Sequence, residues 1–310
     1  MQDDIEIRKC YIDSRDRLPG GSPSDFQVEL PQQVNLPKNA VAYVGEFQVP
    51  HSWWSITANV NTALYLIERW EEASGAQQTR FTTVHLEPQN YDAHALATEM
   101  QTKVRAATRI PGNIVWTIVH QEATNSIKFT LAAGSTTGAS FKVVPDSVLK
   151  NFAFHQAAVH AVYSGANYDV DNPQSVNELI GFHGDSVAIA GEYLALLTAS
   201  IWTGLDSVWN TGHIDVRHRH SLYLHSSTLG TYSHIGPLGS RTCLRRIPVT
   251  SSLFGDIVVS ESTHHLDWID VGGQSLRTLD FQLRDGRGKI VDLQGGAGMS
   301  FSLLFSEKPF

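Results

Sequence analysis

Cysteine is almost absent: Cys10 and Cys243 are the only two thiols, far apart and without metal-ligand spacing. That excludes a disulfide-stapled scaffold and a cysteine zinc site. A single bridge between the two stays open, and the economy of thiols favours a reducing compartment. Charge is scarce too. Asp, Glu, Lys and Arg make up 17% of the 310 residues, against about 25% in ordinary soluble domains. The balance is acidic, −8 with histidine neutral, which argues against a phosphate-binding surface and so against direct nucleic-acid contact. A low-charge surface fits burial against partner subunits, although β-rich chains in any case carry few Lys and Glu. Long apolar runs are missing as well. The most apolar stretch, residues 187–202, is interrupted by Gly191 and Glu192 and falls short of the roughly 18 clean residues that a membrane span requires. Residues 1–8 have neither a basic nor an apolar segment, so no Sec-type signal is expected.

Catalytic motifs are equally sparse. There is no Gly-x-Ser-x-Gly elbow, no Gly-x-Gly-x-x-Gly after a strand and no Walker loop. Neither cysteine has a base nearby in sequence. The glycine pairs and clusters at 20–21 and 295–298 read as turns. No catalytic, cofactor-binding or metal-binding residue is assigned, and no cofactor is expected.

What the chain does have is β patterning. Over residues 276–305 Leu279, Phe281 and Leu283 alternate with polar neighbours, as do Phe301 and Leu303 with Ser300 and Ser302. Asp-Gly-Arg-Gly and Gly-Gly-Ala-Gly punctuate these runs, so the chain is expected to close as an antiparallel meander. The first part predicts strands at 5–12, 25–30, 40–49 and 62–70. One amphipathic helix is predicted over 92–107, where Ala93, Leu96, Ala97, Met100, Val104 and Ala107 form a single stripe and Asn90 is placed to cap it. Strands at 114–121 and 126–132 reverse at Thr124-Asn125, and a further strand covers 140–144. A short helix near 147–154 and a loop over 157–174 follow. Strands then resume at 186–198, 214–225, 242–249 and 256–262. This order gives a mainly β chain: an antiparallel jelly-roll β-sandwich formed by 1–78 and 184–310, with an α+β insertion at 79–183.

Five histidines crowd together: His213, His218, His220, His225 and His234. On a strand, His218 and His220 project from one face, a spacing suited to two imidazole ligands. Gly212-x5-His218-x-His220 also matches the start of the first cupin metal motif. That match then fails, because His225 stands where the motif needs a Glu and Thr242 where its second half needs a His. A cupin-like metal oxygenase or isomerase on the His218/His220 pair is thus one reading; plain polar strand residues are another, and pH-tuning of an intersubunit contact a third. The adjacent His264-His265 would face opposite ways on a strand. Arg241, Arg245 and Arg246 form a modest basic cluster, read as interface or solvated strand. Trp53 and Trp54 after Pro50, with Trp202, would line the groove of a glycan- or receptor-binding module, although aromatic packing at a strand end is the plainer reading.

Four stretches together resemble the minor capsid (penton) proteins of Polinton-like viruses, adintoviruses and virophages. The first runs from Ile12-Asp-Ser-Arg-Asp-Arg17 through Ser24-Asp-Phe-Gln-Val-Glu-Leu30 to Pro50-His-Ser-Trp-Trp-Ser-Ile56. The second joins Asn90-Tyr-Asp-Ala-His-Ala-Leu-Ala-Thr-Glu-Met100, Asn125-Ser-Ile-Lys-Phe-Thr-Leu131 and Glu178-Leu-Ile-Gly-Phe182. Ser221-Leu-Tyr-Leu-His-Ser226 with Leu244-Arg-Arg-Ile-Pro-Val249 is the third, and the closing segment the fourth. The resemblance implies a structural virion protein, not an enzyme. It would be a jelly-roll subunit forming homopentamers at the fivefold vertices of an icosahedral capsid, beside trimers of a double jelly-roll major capsid protein. It would be assembled inside the host cell.

Overall fold

Alternating burial organises most of this chain. In the strand Asp25–Asn35, Phe26, Val28 and Leu30 are buried while Gln27 and Glu29 are exposed, the pattern of a sheet with one face on a core. The computed structural model describes residues 8–112, 114–132, 138–160, 168–182, 187–198, 207–217, 219–230, 235–251, 253–261, 268–295 and 298–307. The strands are β1 (Arg8–Asp13), β2 (Asp25–Asn35), β3 (Ala40–Pro50), β4 (Ala63–Glu71), β5 (Gln77–His85), β6 (Val115–Gln121), β7 (Ser126–Ala132), β8 (Ser140–Val143), β9 (Val208–Asn210), β10 (Ser221–His225), β11 (Cys243–Pro248), β12 (Ile257–Glu261), β13 (Ile269–Asp270), β14 (Ser275–Asp285) and β15 (Ser300–Glu307). The helices are α1 (Ala93–Ala107), α2 (Asp146–Leu149), α3 (Phe152–His160) and α4 (Val187–Thr198). The chain divides into two compact units, Met1–Trp53 with Arg219–Phe310, and Trp54–His218.

The first unit is a jelly-roll sandwich. One sheet has the order β1-β15-β3-β12, with β13 also pairing β3; the other has the order β11-β10-β14-β2. All these pairings are antiparallel. Apart from the β10–β11 hairpin and short β13, successive strands pass to the opposite sheet, which is jelly-roll winding. The core is a single cluster drawn from both sheets. Phe281 of β14 meets Phe301 of β15 edge-on across it, with ring centroids 4.8 Å apart.

That geometry corrects the expected closing meander. β14 pairs β10 and β2, whereas β15 pairs β1 and β3, so the two runs lie in different sheets. Among its described residues, the segment between them pairs through one isolated bridge, Arg284 with Ile290, and its Val291 and Leu293 are buried in the core as the chain crosses over. The Asp285–Gly288 reversal is real: the Asp285 carboxylate accepts from the Arg287 and Lys289 amides at 2.9 and 3.0 Å.

The second unit holds two antiparallel three-stranded sheets, β5-β4-β8 and β6-β7-β9, with the helices. β4 is buried on both faces. Leu64 and Leu66 join one core with α1 residues Leu96, Ala97, Met100 and Val104, and Tyr65 and Ile67 join another with Phe81 and Phe154. β4 pairs β5 along nine residues from Ala63–His85 to Glu71–Gln77, so a boundary at 78/79 would cut a continuous ladder; the units part instead after Trp53 and again after His218. Neither β5 nor β9 was expected. Helix α1 starts one residue later than expected and is capped by Asp92, whose side chain accepts from the Ala95 amide at 2.7 Å, in place of Asn90. Residues 187–198, expected as a strand, are helix α4, where Tyr193 and Leu196 sit three apart and are both buried. Tyr193 donates to the Val143 carbonyl at 2.9 Å. Where one short helix and a loop from 157 were expected there are two helices, α2 and α3, the second capped by Asn151, which accepts from the Phe154 amide at 3.0 Å.

Candidate functional site

The expected strand at 214–225 begins only at Ser221, so His220 precedes it. His218, His234, His264, His265 and Trp202 lie outside the described residues. His213 and His220 are exposed, His213 in the second unit and His220 in the first. His225 is buried, its Nδ1 3.0 Å from Thr242 Oγ1 and 3.3 Å from Ser240 Oγ. Burial, and then the Arg284 charge, pull its pKa down to about 4, so it is a neutral internal group at pH 7. Among the described residues no three His, Cys, Asp or Glu side chains gather as a metal site. Gly212, which leads the partial cupin motif, has a different job: a Cβ there would lie 2.3 Å from the Gly181 carbonyl oxygen, and one on Gly181 (φ +63°) would lie 2.3 Å from that of His213. Two backbones cross here at a distance that only glycine permits.

Arg245 departs most from its sequence reading. It is buried, and its guanidinium donates to the Val44 carbonyl at 2.7 Å, to the Gly45 carbonyl and to Ser260 Oγ at 3.0 Å. It therefore reaches from β11 in one sheet to β3 and β12 in the other. Leu304 and Ser302 lie over Gly45, each with a side-chain end 2.7 Å from where a Cβ would stand. Arg246 faces outward, bonding Ser221 Oγ at 2.9 Å. Arg219, also buried, pairs with Asp285 at 3.8 Å. Asp280 on β14 holds the chain after β10: its carboxylate accepts from the Ser227 and Thr228 amides at 2.9 and 2.7 Å, and from the hydroxyls of Ser226, Ser227 and Thr228. Burial alone would raise its pKa, but these bonds outweigh it and bring the value to about 2.

The remaining candidates are structural. Trp53 is buried with its ring 4.3 Å from that of His51, which is packing at a strand end. Cys10 lies on β1 and Cys243 on β11, in different sheets and not disulfide-bonded; burial pushes the Cys243 thiol up, away from nucleophilic use.

What stands out on the first unit is surface. The first sheet ends in β1 on one side and β12 on the other. Tyr11 on β1 is 78% exposed; Ile257 and Val259 on β12 are 61% and 44% exposed, and Leu253 just before β12 is 66% exposed. Sequence reasoning passed over this surface, although adjacent Val258 and Val259 gave a sign that both faces of the strand are apolar.

No family model and no curated protein matches the chain. Among solved structures, the mavirus penton protein superimposes with a TM-score of 0.52 at 9% identity, covering 98% of this chain and 100% of that one. At that identity what is shared is the fold: an antiparallel jelly-roll sandwich with an α+β insertion, as the sequence led one to expect. The Sputnik virophage, solved by cryo-EM, aligns at a TM-score of 0.43 and 12% identity over 97% of this chain and 98% of that one, too loosely to bear on the fold.

Proposed function

We propose that this chain is a penton subunit: a structural, non-enzymatic virion protein that assembles as a homopentamer. It would stand at the fivefold vertices of an icosahedral capsid and contact a double jelly-roll major capsid protein. The observation that carries the reading is the end-to-end likeness of fold to the mavirus penton protein, which spans both units. Three further observations support it. The buried Arg245 and His225 and the half-buried Asp280 are all engaged in hydrogen bonds within the first unit. The sheet edges expose large apolar side chains, as expected of a subunit that is covered in its assembly. No helix among the described residues is long and apolar enough to cross a membrane. The two other readings gain nothing from the described residues, since His225 faces two hydroxyls and Trp53 is buried.

The test is a cryo-EM reconstruction of particles assembled from this chain and its shell partner inside the host cell. The proposal expects five copies around each fivefold axis. Vertices filled by another protein, or particles that close without this chain, would contradict it.

A further inference from the structure

Resting on the penton reading, we propose that copies of this chain join head to tail by sheet extension, β12 of one copy pairing antiparallel with β1 of the next. Three features of the first unit carry this. The first is direction. β1 pairs β15, β15 pairs β3 and β3 pairs β12, every pair antiparallel, so β1 and β12 run in opposite senses at the two ends of one sheet. Copies related by a rotation that sets edge beside edge then meet in the antiparallel sense, with no strand reversed. A heterologous contact of this kind closes into a ring when the rotation allows.

Side-chain parity is the second. On β1, Lys9 and Tyr11 point outward while Ile12 enters the core; on β12, Ile257, Val259 and Glu261 point outward while Val258 enters the core. The third is complementarity within one register. Setting Tyr11 opposite Val259 places Lys9 opposite Glu261 and Ile12 opposite Val258. An aromatic faces a β-branched residue and a cation faces an anion on the outer face, and two apolar residues meet on the inner one. Such cross-strand pairs are the unit of sheet stability. The Lys9 ammonium lies 4.8 Å from the Tyr11 ring centroid, so the two outward side chains of β1 already form one patch. An edge bearing exposed Ile257 and Val259 is otherwise an invitation to uncontrolled pairing, which a defined neighbour removes, as in other strand-addition interfaces.

The experiment uses the full chain at neutral pH. Lys9→Glu and Glu261→Lys each set like charges face to face, and each is expected to raise the concentration at which rings dissociate by roughly tenfold. Lys9→Glu/Glu261→Lys restores assembly. Both positions are exposed, so unchanged circular dichroism separates lost assembly from lost folding. In a Cys10→Ser/Cys243→Ser background, the Tyr11→Cys/Val259→Cys pair is expected to give, on oxidation, a non-reducing ladder ending at five. Cross-strand Cα spacing of about 4.5–5.5 Å suits a disulfide. If the unaltered chain is pentameric but the swaps leave its mass unchanged and no ladder forms, sheet extension is overturned and the penton reading stands. If the unaltered chain is monomeric, both fall.

Discussion

Asp280→Asn isolates the energetic role of a single carboxylate. Asp280 takes amide and hydroxyl hydrogen bonds from three consecutive residues, Ser226 to Thr228. Its pKa falls from an ordinary 3.8 to about 2 because those bonds outweigh burial. At 1.36 kcal/mol per tenfold, and trimmed for its partial exposure, this is about 2 kcal/mol of stability. The asparagine is isosteric but turns an NH2 toward donors on one side, so about 2–3 kcal/mol should be lost at pH 7. The sign follows from linkage. A carboxylate with a depressed folded pKa contributes fully above its unfolded value near 4 and loses that contribution as pH falls toward 2. The gap between the wild-type protein and Asp280→Asn should therefore be widest above pH 5 and close progressively between pH 4 and 2. Urea titrations followed by circular dichroism at a series of pH values measure it. A gap that stays constant between pH 5 and 2.5, or one under 0.5 kcal/mol at pH 7, would refute the reasoning.

Three further outcomes follow from the same structure. Arg245→Met fills the space but strands the Val44 and Gly45 carbonyls and Ser260; a loss of about 3–5 kcal/mol in urea unfolding is expected, and one below 1 kcal/mol would mean the strut is dispensable. Gly181→Ala places a Cβ against the His213 backbone in a left-handed conformation, and should lower stability by about 2–4 kcal/mol, read as a fall in melting temperature. His225, with its folded pKa near 4, is neutral in the fold but takes a proton when unfolded, so stability present above pH 6.5 drains away as pH falls from 6.5 to 4. His225→Gln should flatten that limb of the pH–stability curve, and an unaltered slope would place its origin elsewhere.

The strands of the jelly roll were legible because half-burial writes a period of two into residues such as Phe26, Val28 and Leu30. Their sheet membership was not. Alternation says that β14 and β15 each bury one face, but it is equally satisfied by neighbours in one sheet or by partners across a core, and the second holds. Helix α4 was misread because Val187 to Thr198 is apolar almost throughout, so periodicity cannot separate helix from buried strand. β5 escaped notice because Gln77 to Arg80 is polar and only Phe81, Thr82 and Val84 are buried. Among candidate site residues, the histidines drew attention by type and spacing, yet His225 serves packing. Arg245 looked like surface charge, because its partners are backbone carbonyls about 200 positions away that no local pattern announces.

The central claim is pentameric assembly, and the mass of the purified chain in solution tests it most directly. Light scattering, with negative-stain images of the same sample, should give a mass near five times 34.2 kDa and ring-shaped particles. A mass of one chain, held at high concentration and in the presence of the shell partner, would contradict the account.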